Sequence, residues 1–255
     1  MNQTRNKPGP AFAALILGVA AVGAAFYFKP LPAMEDKALL ASDASIRVVS
    51  EAAGIFFLPT AAAKSTGMVI YCGERVPPEA YAYLARSCAA AGYPALLASM
   101  PLNFAGLSPS RAAAVASYPG VARWVIAGHS QGGAAACSFV ASNSTSKAPM
   151  AVAGLMLYAS YPGRGVDLST KTLPVVTVGA SLDTLASPAR IAAARARLPA
   201  GSRYVEIAGG NHAQFGEYGP QSGDGLAEIT GLTQRGAAVE EALALLDRLD
   251  AGVGN

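Results

Sequence analysis

Residues 124–133 read WVIAGHSQGG, and this stretch decides the fold. Its first four residues are apolar, as in a buried strand, and an Ala-rich helix pattern follows its last glycine. Between them, residues 128–132 form a G-x-S-x-G motif centred on Ser130. Such a strand-turn-helix turn is too tight for bulky neighbours and lifts the serine hydroxyl above the sheet. Ser130 is therefore the predicted nucleophile; a glycine-rich helix start that binds an anion is the alternative.

Strand and helix patterns alternate along most of the chain. Strands are predicted at 46–50, 54–58, 68–71, 93–98, 123–127, 152–158, 174–179 and 203–207, and helices at 78–91, 110–117, 131–141, 188–198 and 233–249. The first two strands are expected to pair antiparallel at a sheet edge. The alternation that follows predicts an α/β fold, with a mostly parallel central sheet and helices on both of its faces.

Length and composition predict one catalytic domain, at residues 45–255, after a spacer at 31–44. The chain has 255 residues, 52% hydrophobic and 14% charged, which suits one substantial core. Its net charge is +3, but Lys and Arg are scattered, so nucleic acid is not an expected partner. Three cysteines lack metal-ligand spacing and are expected to be buried, so no cofactor or metal is predicted: Cys72, Cys88 and Cys137.

The amino terminus is predicted to be a separate membrane segment, at residues 1–30. Arg5 and Lys7 precede an apolar run at 11–28, which at about 18 residues is near the lower limit for spanning a bilayer. An uncleaved transmembrane helix is favoured, and a cleaved secretory signal is the alternative. Either interpretation places the catalytic domain outside the cytoplasm, membrane-anchored in the first case and secreted in the second.

The base that Ser130 needs at neutral pH can be sought among only two histidines, His129 and His212. His129 adjoins Ser130 on the turn, where its side chain is expected to point away from the reacting face. His212 lies in a glycine-flanked loop after the strand at 203–207. Open α/β sheets build their sites at such carboxyl ends, so His212 is the predicted base. A buried structural histidine is the alternative.

The carboxylate that orients the histidine is predicted to be Asp183. It follows the strand at 174–179 and lies between the serine and the histidine in the chain, the order that this kind of site uses. Asp167 is a weaker candidate because it precedes that strand, and Glu206 lies inside a strand. An ordinary loop or helix-capping aspartate is the alternative.

Two backbone N–H groups are expected to stabilise the oxyanion of the tetrahedral intermediate. Gln131 supplies the first, since it follows the nucleophile directly. The second should come from the loop after the strand at 68–71, where Glu74 is the first choice and Gly73 the second. Cys72 beside them is interpreted as a packing residue.

Several segments together resemble the small, uncapped α/β-hydrolase-fold proteins grouped near the dienelactone hydrolases. They include GNHAQFG at 210–216 and GHSQGG at 128–133, with further matches at 66–71, 78–81, 84–85, 91–93, 100–103, 159–162 and 218–219. The resemblance spans about residues 46–249 and implies a triad of Ser130, Asp183 and His212. The chain departs from it at 72–74, which read CGE where such proteins often carry Pro-Gly and a small residue.

The expected substrate is a small-molecule or lipid-like ester, cleaved through an acyl-enzyme. Only about 15 residues separate two central strands, too few for a helical cap, so the site is expected to be open. Aromatic residues in loops are the candidate substrate-binding residues: Phe104, Tyr161 and Phe215, with Tyr218 beside them. An acyltransferase with the same triad, or a non-catalytic binding protein on this scaffold, remains the alternative.

Overall fold

Contacts divide the chain into two units, Met1–Pro30 and Leu31–Asn255. A computed structural model describes residues 29–33, 36–143, 145–147 and 149–252. The predicted membrane segment at 11–28 lies outside the described residues. Within the described ranges, no helix is both long and apolar enough to cross a bilayer.

One sheet of eight strands lies at the centre of the second unit. The strands are β1 (Ile46–Glu51), β2 (Gly54–Pro59), β3 (Thr66–Tyr71), β4 (Ala95–Ala98), β5 (Arg123–His129), β6 (Val152–Tyr158), β7 (Val175–Ala180) and β8 (Arg203–Ile207). Their spatial order is β1-β2-β4-β3-β5-β6-β7-β8. β2 pairs antiparallel with β1 and β4, and every other pair is parallel. The mostly parallel sheet and its antiparallel edge are confirmed.

Helices cover both faces of the sheet. They are α1 (Ala82–Ala90), α2 (Gln131–Asn143), α3 (Pro188–Ala194) and α4 (Gly231–Ala251). Successive side chains of a strand point to opposite faces, so Met68 and Val69 of β3 enter different cores. α1 and α4 pack in the core that contains Met68, and α2 packs in the core that contains Val69. The inner strands β3, β4, β5 and β7 are buried on both faces, as is typical of a parallel sheet, whereas the edge strands β1 and β8 are partly exposed.

Three of the predicted helices differ in form from the expectation. The first begins as a 3₁₀ turn at Pro78–Tyr81, and the second is a 3₁₀ helix throughout, at Pro109–Val115. The helix predicted to reach residue 198 leaves the α form after Ala194. Leu198 has extended backbone angles because the following proline disfavours the helical region for the residue before it.

The segment at 31–44, predicted to be a spacer, contacts the body of the second unit. A short 3₁₀ helix at Lys37–Leu40 packs Leu39 and Leu40 against the core. Arg86 of α1 donates to the backbone oxygens of Leu39 and Ala41, at 3.0 and 2.8 Å. These contacts tie the start of the unit to its first α-helix.

All three cysteines are buried, as the sequence predicts, and none of them forms a disulfide bond. Burial raises the pKa of the Cys88 and Cys137 thiols to about 12, and it raises the pKa of Cys72 as well. Thiols of this kind stay protonated at neutral pH and behave as small apolar groups. Within the described part of the chain, no group of three or more His, Cys, Asp and Glu residues could hold a metal ion.

α2 approaches β3 so closely that only glycine fits at the contact. A Cβ atom at Gly132 would lie 2.3 Å from the backbone oxygen of Cys72 and 2.4 Å from that of Tyr71. Both neighbours are main-chain atoms at the end of a central strand, so a larger residue at this position has to displace the backbone.

Gly132→Ala is expected to lower the free energy of unfolding by about 1–3 kcal/mol, because the added methyl group overpacks this contact. Gly236 in α4 is the matched control, since its Cβ would meet no atom within 4 Å. Gly236→Ala should leave stability unchanged or raise it by about 0.5–1 kcal/mol, the usual gain for alanine in a helix. Urea unfolding followed by circular dichroism measures both; equal effects would contradict the steric argument.

Candidate active site

Ser130 occupies the strained turn between β5 and α2. Its φ is +53°, in the left-handed region that residues with side chains rarely adopt. Its N–H donates to the backbone oxygen of Tyr158 at 3.0 Å, and its own carbonyl accepts from the Ser160 hydroxyl at 2.6 Å. A Cβ at Gly128 would lie 2.5 Å from the backbone of Gly132, so the motif's glycines are needed sterically. These contacts hold the serine at the carboxyl end of β5.

His212 and Asp183 meet in a buried pair beside this turn. The Nδ1 atom of His212 lies 2.8 Å from Oδ2 of Asp183, with side-chain exposures of 2% and 0%. The other carboxylate oxygen of Asp183 accepts from the N–H groups of Leu185 and Ala186, at 2.8 and 2.7 Å. Asp183 follows β7 and His212 follows β8, so parallel strands bring both to the edge where β5 delivers Ser130.

The two other acids considered in the sequence lie elsewhere. Asp167 is exposed and accepts from the N–H of Ser169 at 2.8 Å, a hydrogen bond that lowers the pKa of its carboxyl group. Glu206 is an exposed residue of β8. Neither is paired with His212, and Asp183 is.

Asp224 contacts the backbone of the loop that carries His212, and the sequence did not predict this contact. Its carboxylate accepts from the backbone N–H groups of His212 and Ala213, at 3.2 and 2.9 Å. The side chain of Gln234 in α4 adds a second support, since it accepts from the N–H of Asn211 and donates to its carbonyl. The Asp-Gly pair at 224–225 predicts a turn at this position. It does not predict that the aspartate carboxylate contacts the backbone of His212.

The ring of His129 contacts the Tyr81 hydroxyl and packs against the ring of His212. Its Nδ1 atom lies 2.8 Å from the hydroxyl of Tyr81, and its ring centroid lies 4.6 Å from that of His212. Its side chain is therefore a neighbour of the predicted base and does not point into bulk solvent, in keeping with its 1% exposure.

A cavity of about 440 Å³ opens above the turn and is lined by Ser130, His212 and His129. Tyr161 and Tyr218, two of the predicted aromatic residues, also line it. Phe104 and Phe215 are not among its lining residues. Phe215 is 5% exposed and packs its ring 5.7 Å from His129 and 5.8 Å from Tyr158. Its side chain belongs to the core.

Among the described residues, the connection between β6 and β7 adds no helix above the cavity. Residues 159–174, which join β6 to β7, contain neither helix nor strand and are all described. This agrees with the expectation of an uncapped site.

Both predicted oxyanion donors belong to residues that line the cavity, Gln131 and Glu74. Gln131 is the first residue of α2, and the first N–H groups of a helix have no partner within the helix. The N–H of Gly73, the second choice in the other loop, donates to the Tyr81 hydroxyl at 3.0 Å. The N–H of Gly73 is thus already engaged, and Glu74 stays the predicted donor of that loop.

Three arginines also line the cavity and were not predicted: Arg75, Arg164 and Arg190. The only acidic residue among the lining residues is Glu74. Within the described ranges, neither Arg164 nor Arg190 forms an ion pair, although Arg190 donates to the backbone oxygen of Leu185 at 2.8 Å. The cavity therefore carries an excess of positive charge.

Comparison with known families agrees with this architecture. Residues 67–236 match the model of an alpha/beta hydrolase family. Because the match covers more than half of the 255 residues, the chain belongs to the alpha/beta hydrolase family. A search of curated proteins found no match. The fold predicted from the residues is confirmed, whereas the closer grouping with the dienelactone hydrolases stays a prediction.

Asp224→Ala is expected to lower the free energy of unfolding by about 1–3 kcal/mol, because two N–H groups of the histidine loop lose their acceptor. Thermal or urea unfolding measures the change. Asp167→Ala is the matched control, since it removes an aspartate with a single exposed backbone contact. Stability losses of the same size in both variants would show that Asp224 does not hold the loop.

Proposed function

We propose that this protein is a serine hydrolase that cleaves carboxylic esters, with Ser130 as nucleophile, His212 as base and Asp183 as the orienting acid. One observation carries the proposal. The buried pair of His212 and Asp183, 2.8 Å apart, adjoins a cavity that also exposes the serine of a strained G-x-S-x-G turn. Membership of the alpha/beta hydrolase family supports hydrolysis as the reaction class.

The first half of the reaction forms the acyl-enzyme. The hydroxyl oxygen of Ser130 attacks the ester carbonyl while His212 takes its proton. The resulting oxyanion accepts hydrogen bonds from the backbone N–H groups of Gln131 and Glu74. The carbon–oxygen bond of the alcohol then breaks, and protonated His212 gives its proton to the departing alkoxide.

The second half returns the enzyme to its starting state. Water attacks the acyl carbonyl while His212 takes a proton from it, and Ser130 leaves with that proton as the acid is released. Asp183 fixes the imidazole with its proton on Nδ1 and stabilises the imidazolium that forms in each half. Its two backbone hydrogen bonds hold the carboxylate in that orientation.

Ser130→Ala and His212→Ala should each reduce kcat for p-nitrophenyl acetate at least about a thousandfold, because the triad acts as a unit. Asp183→Asn should reduce it about a thousandfold to ten-thousandfold, since the amide favours the wrong histidine tautomer. Fluorophosphonate labelling of the full-length protein should require Ser130 and His212. Ser138→Ala removes a serine of α2 that bonds only its own helix and is the control.

The same assay separates the other two interpretations. A wild-type protein that neither reacts with fluorophosphonate nor hydrolyses p-nitrophenyl acetate would contradict the proposal and favour a binding protein. Labelling with ester turnover that appears only when an alcohol or amine acceptor is added would favour an acyltransferase.

The charge of the cavity favours an ester that carries a negative group. Arg164 and Arg190 present guanidinium groups without an ion-pair partner among the described residues, and guanidinium binds carboxylate or phosphate through paired hydrogen bonds. Glu74 is the only opposing charge among the lining residues. A small ester with an anionic acyl chain fits this cavity better than a neutral lipid ester.

Mono-4-nitrophenyl adipate should therefore have a higher kcat/KM than its neutral methyl ester, which has the same chain. Arg164→Gln or Arg190→Gln should reduce that preference about tenfold, and added salt should weaken it. Arg248→Gln, an exposed arginine of α4 away from the cavity, is the control. Equal kcat/KM values for the two esters in the wild type would rule out selection by charge. That result would not contradict the proposed triad.

A further inference from the structure

The hydroxyl of Tyr81 bridges the loop after β3 and the histidine before Ser130. It accepts from the N–H of Gly73 at 3.0 Å and lies 2.8 Å from Nδ1 of His129. Tyr81 is 2% exposed, so water does not compete for these contacts. Because the oxygen is an acceptor toward Gly73, its single proton is available for Nδ1 of His129.

The direction of this contact and the tautomer of His129 determine each other. A neutral imidazole that accepts at Nδ1 has its hydrogen on Nε2. That Nε2 atom is buried, and the ring also has a backbone hydrogen bond with His212 that opposes, without cancelling, the lowering of its pKa. Burial lowers the pKa of His129 well below its usual range, and the neighbouring His212 lowers it further, so His129 stays neutral.

The His129 ring forms one wall around the predicted base. Its centroid lies 4.6 Å from that of His212, 5.7 Å from that of Phe215 and 6.3 Å from that of Tyr218. Movement of this ring would change the space available to His212.

The loop after β3 is packed against the same two side chains. A Cβ at Gly73 would lie 2.9 Å from Nδ1 of His129 and 3.0 Å from the Tyr81 hydroxyl. Glycine at this position therefore lets the loop approach closely enough for its N–H to reach the tyrosine.

We propose that Tyr81 and His129 are positioning residues that connect the loop after β3 to the ring of His212. Tyr81 occupies the N–H of Gly73 and fixes the loop that presents Glu74, and it fixes the tautomer of His129. His129 in turn supports the face of His212. The kinetic part of this inference rests on the proposed hydrolase function.

The neutrality of His129 matters for the reaction. His212 becomes positively charged when it takes the proton of Ser130, and a second charge beside it would oppose that step. The Tyr81 hydroxyl favours the uncharged form because it donates to the nitrogen that would otherwise gain a proton.

Proton-detected nitrogen NMR of the full-length protein, labelled with ¹⁵N-histidine, tests the tautomer directly at pH 7. The chain has two histidines, so His212→Gln assigns both spectra. We expect His129 to carry its proton on Nε2 and His212 on Nδ1. A proton on Nδ1 of His129, or an imidazolium there, would overturn the inference whether or not the protein hydrolyses esters.

Tyr81→Phe tests the positioning role. It should lower kcat about 10- to 100-fold with KM changed less than about threefold, and it should remove the tautomer preference of His129. Tyr71→Phe is the matched control: its buried hydroxyl also bridges two groups, the N–H of Ala112 and the carbonyl of Pro109, in the other core.

The control variant should keep the wild-type kcat and both histidine tautomers. A Tyr81→Phe protein with wild-type kcat would refute the positioning role. Should Tyr81→Phe not fold, the tautomer of wild-type His129 still decides the inference. Failure of the proposed function is recognised separately, by a wild-type protein that fluorophosphonate does not label.

Discussion

The turn at Ser130 is the constraint on which the rest of the site depends. A serine with φ of +53° persists only where its surroundings enforce it, and here they are backbone packed on backbone. Gly128 and Gly132 let α2 approach the ends of β5 and β3. The same approach brings the loop after β3 beside the serine. One steric requirement thus sets the positions of both the predicted nucleophile and the predicted oxyanion donors.

Much of this arrangement could be predicted because its signals are local. The glycines around Ser130 predict the turn from a few neighbouring residues. The alternation of strand and helix patterns predicts the parallel sheet. Chain order pointed to Asp183, and a choice between two histidines pointed to His212. Parallel strands deliver all these residues to one edge, so strand ends were enough to predict that they meet.

The rest depends on contacts between residues far apart in the chain. Nothing near Tyr81 shows that its hydroxyl meets His129, and nothing near Asp224 shows that it accepts from the amide of His212. The cavity arginines come from two loops and from α3, and they form no cluster in sequence. Phe215 belongs to the core and not to the cavity lining for a related reason: a loop aromatic beside the predicted base can face the core as well as the cavity.

The position of β8 has a consequence for how the protein would lose activity. β8 is the last strand of the sheet and pairs on one side only, whereas β5 lies between two partners. Edge strands open more readily than central ones, so fraying at this edge would disturb the histidine loop and leave the serine turn in place. Partial denaturation would therefore remove the predicted base before the predicted nucleophile, and the proposed activity would be lost while most of the sheet remained intact.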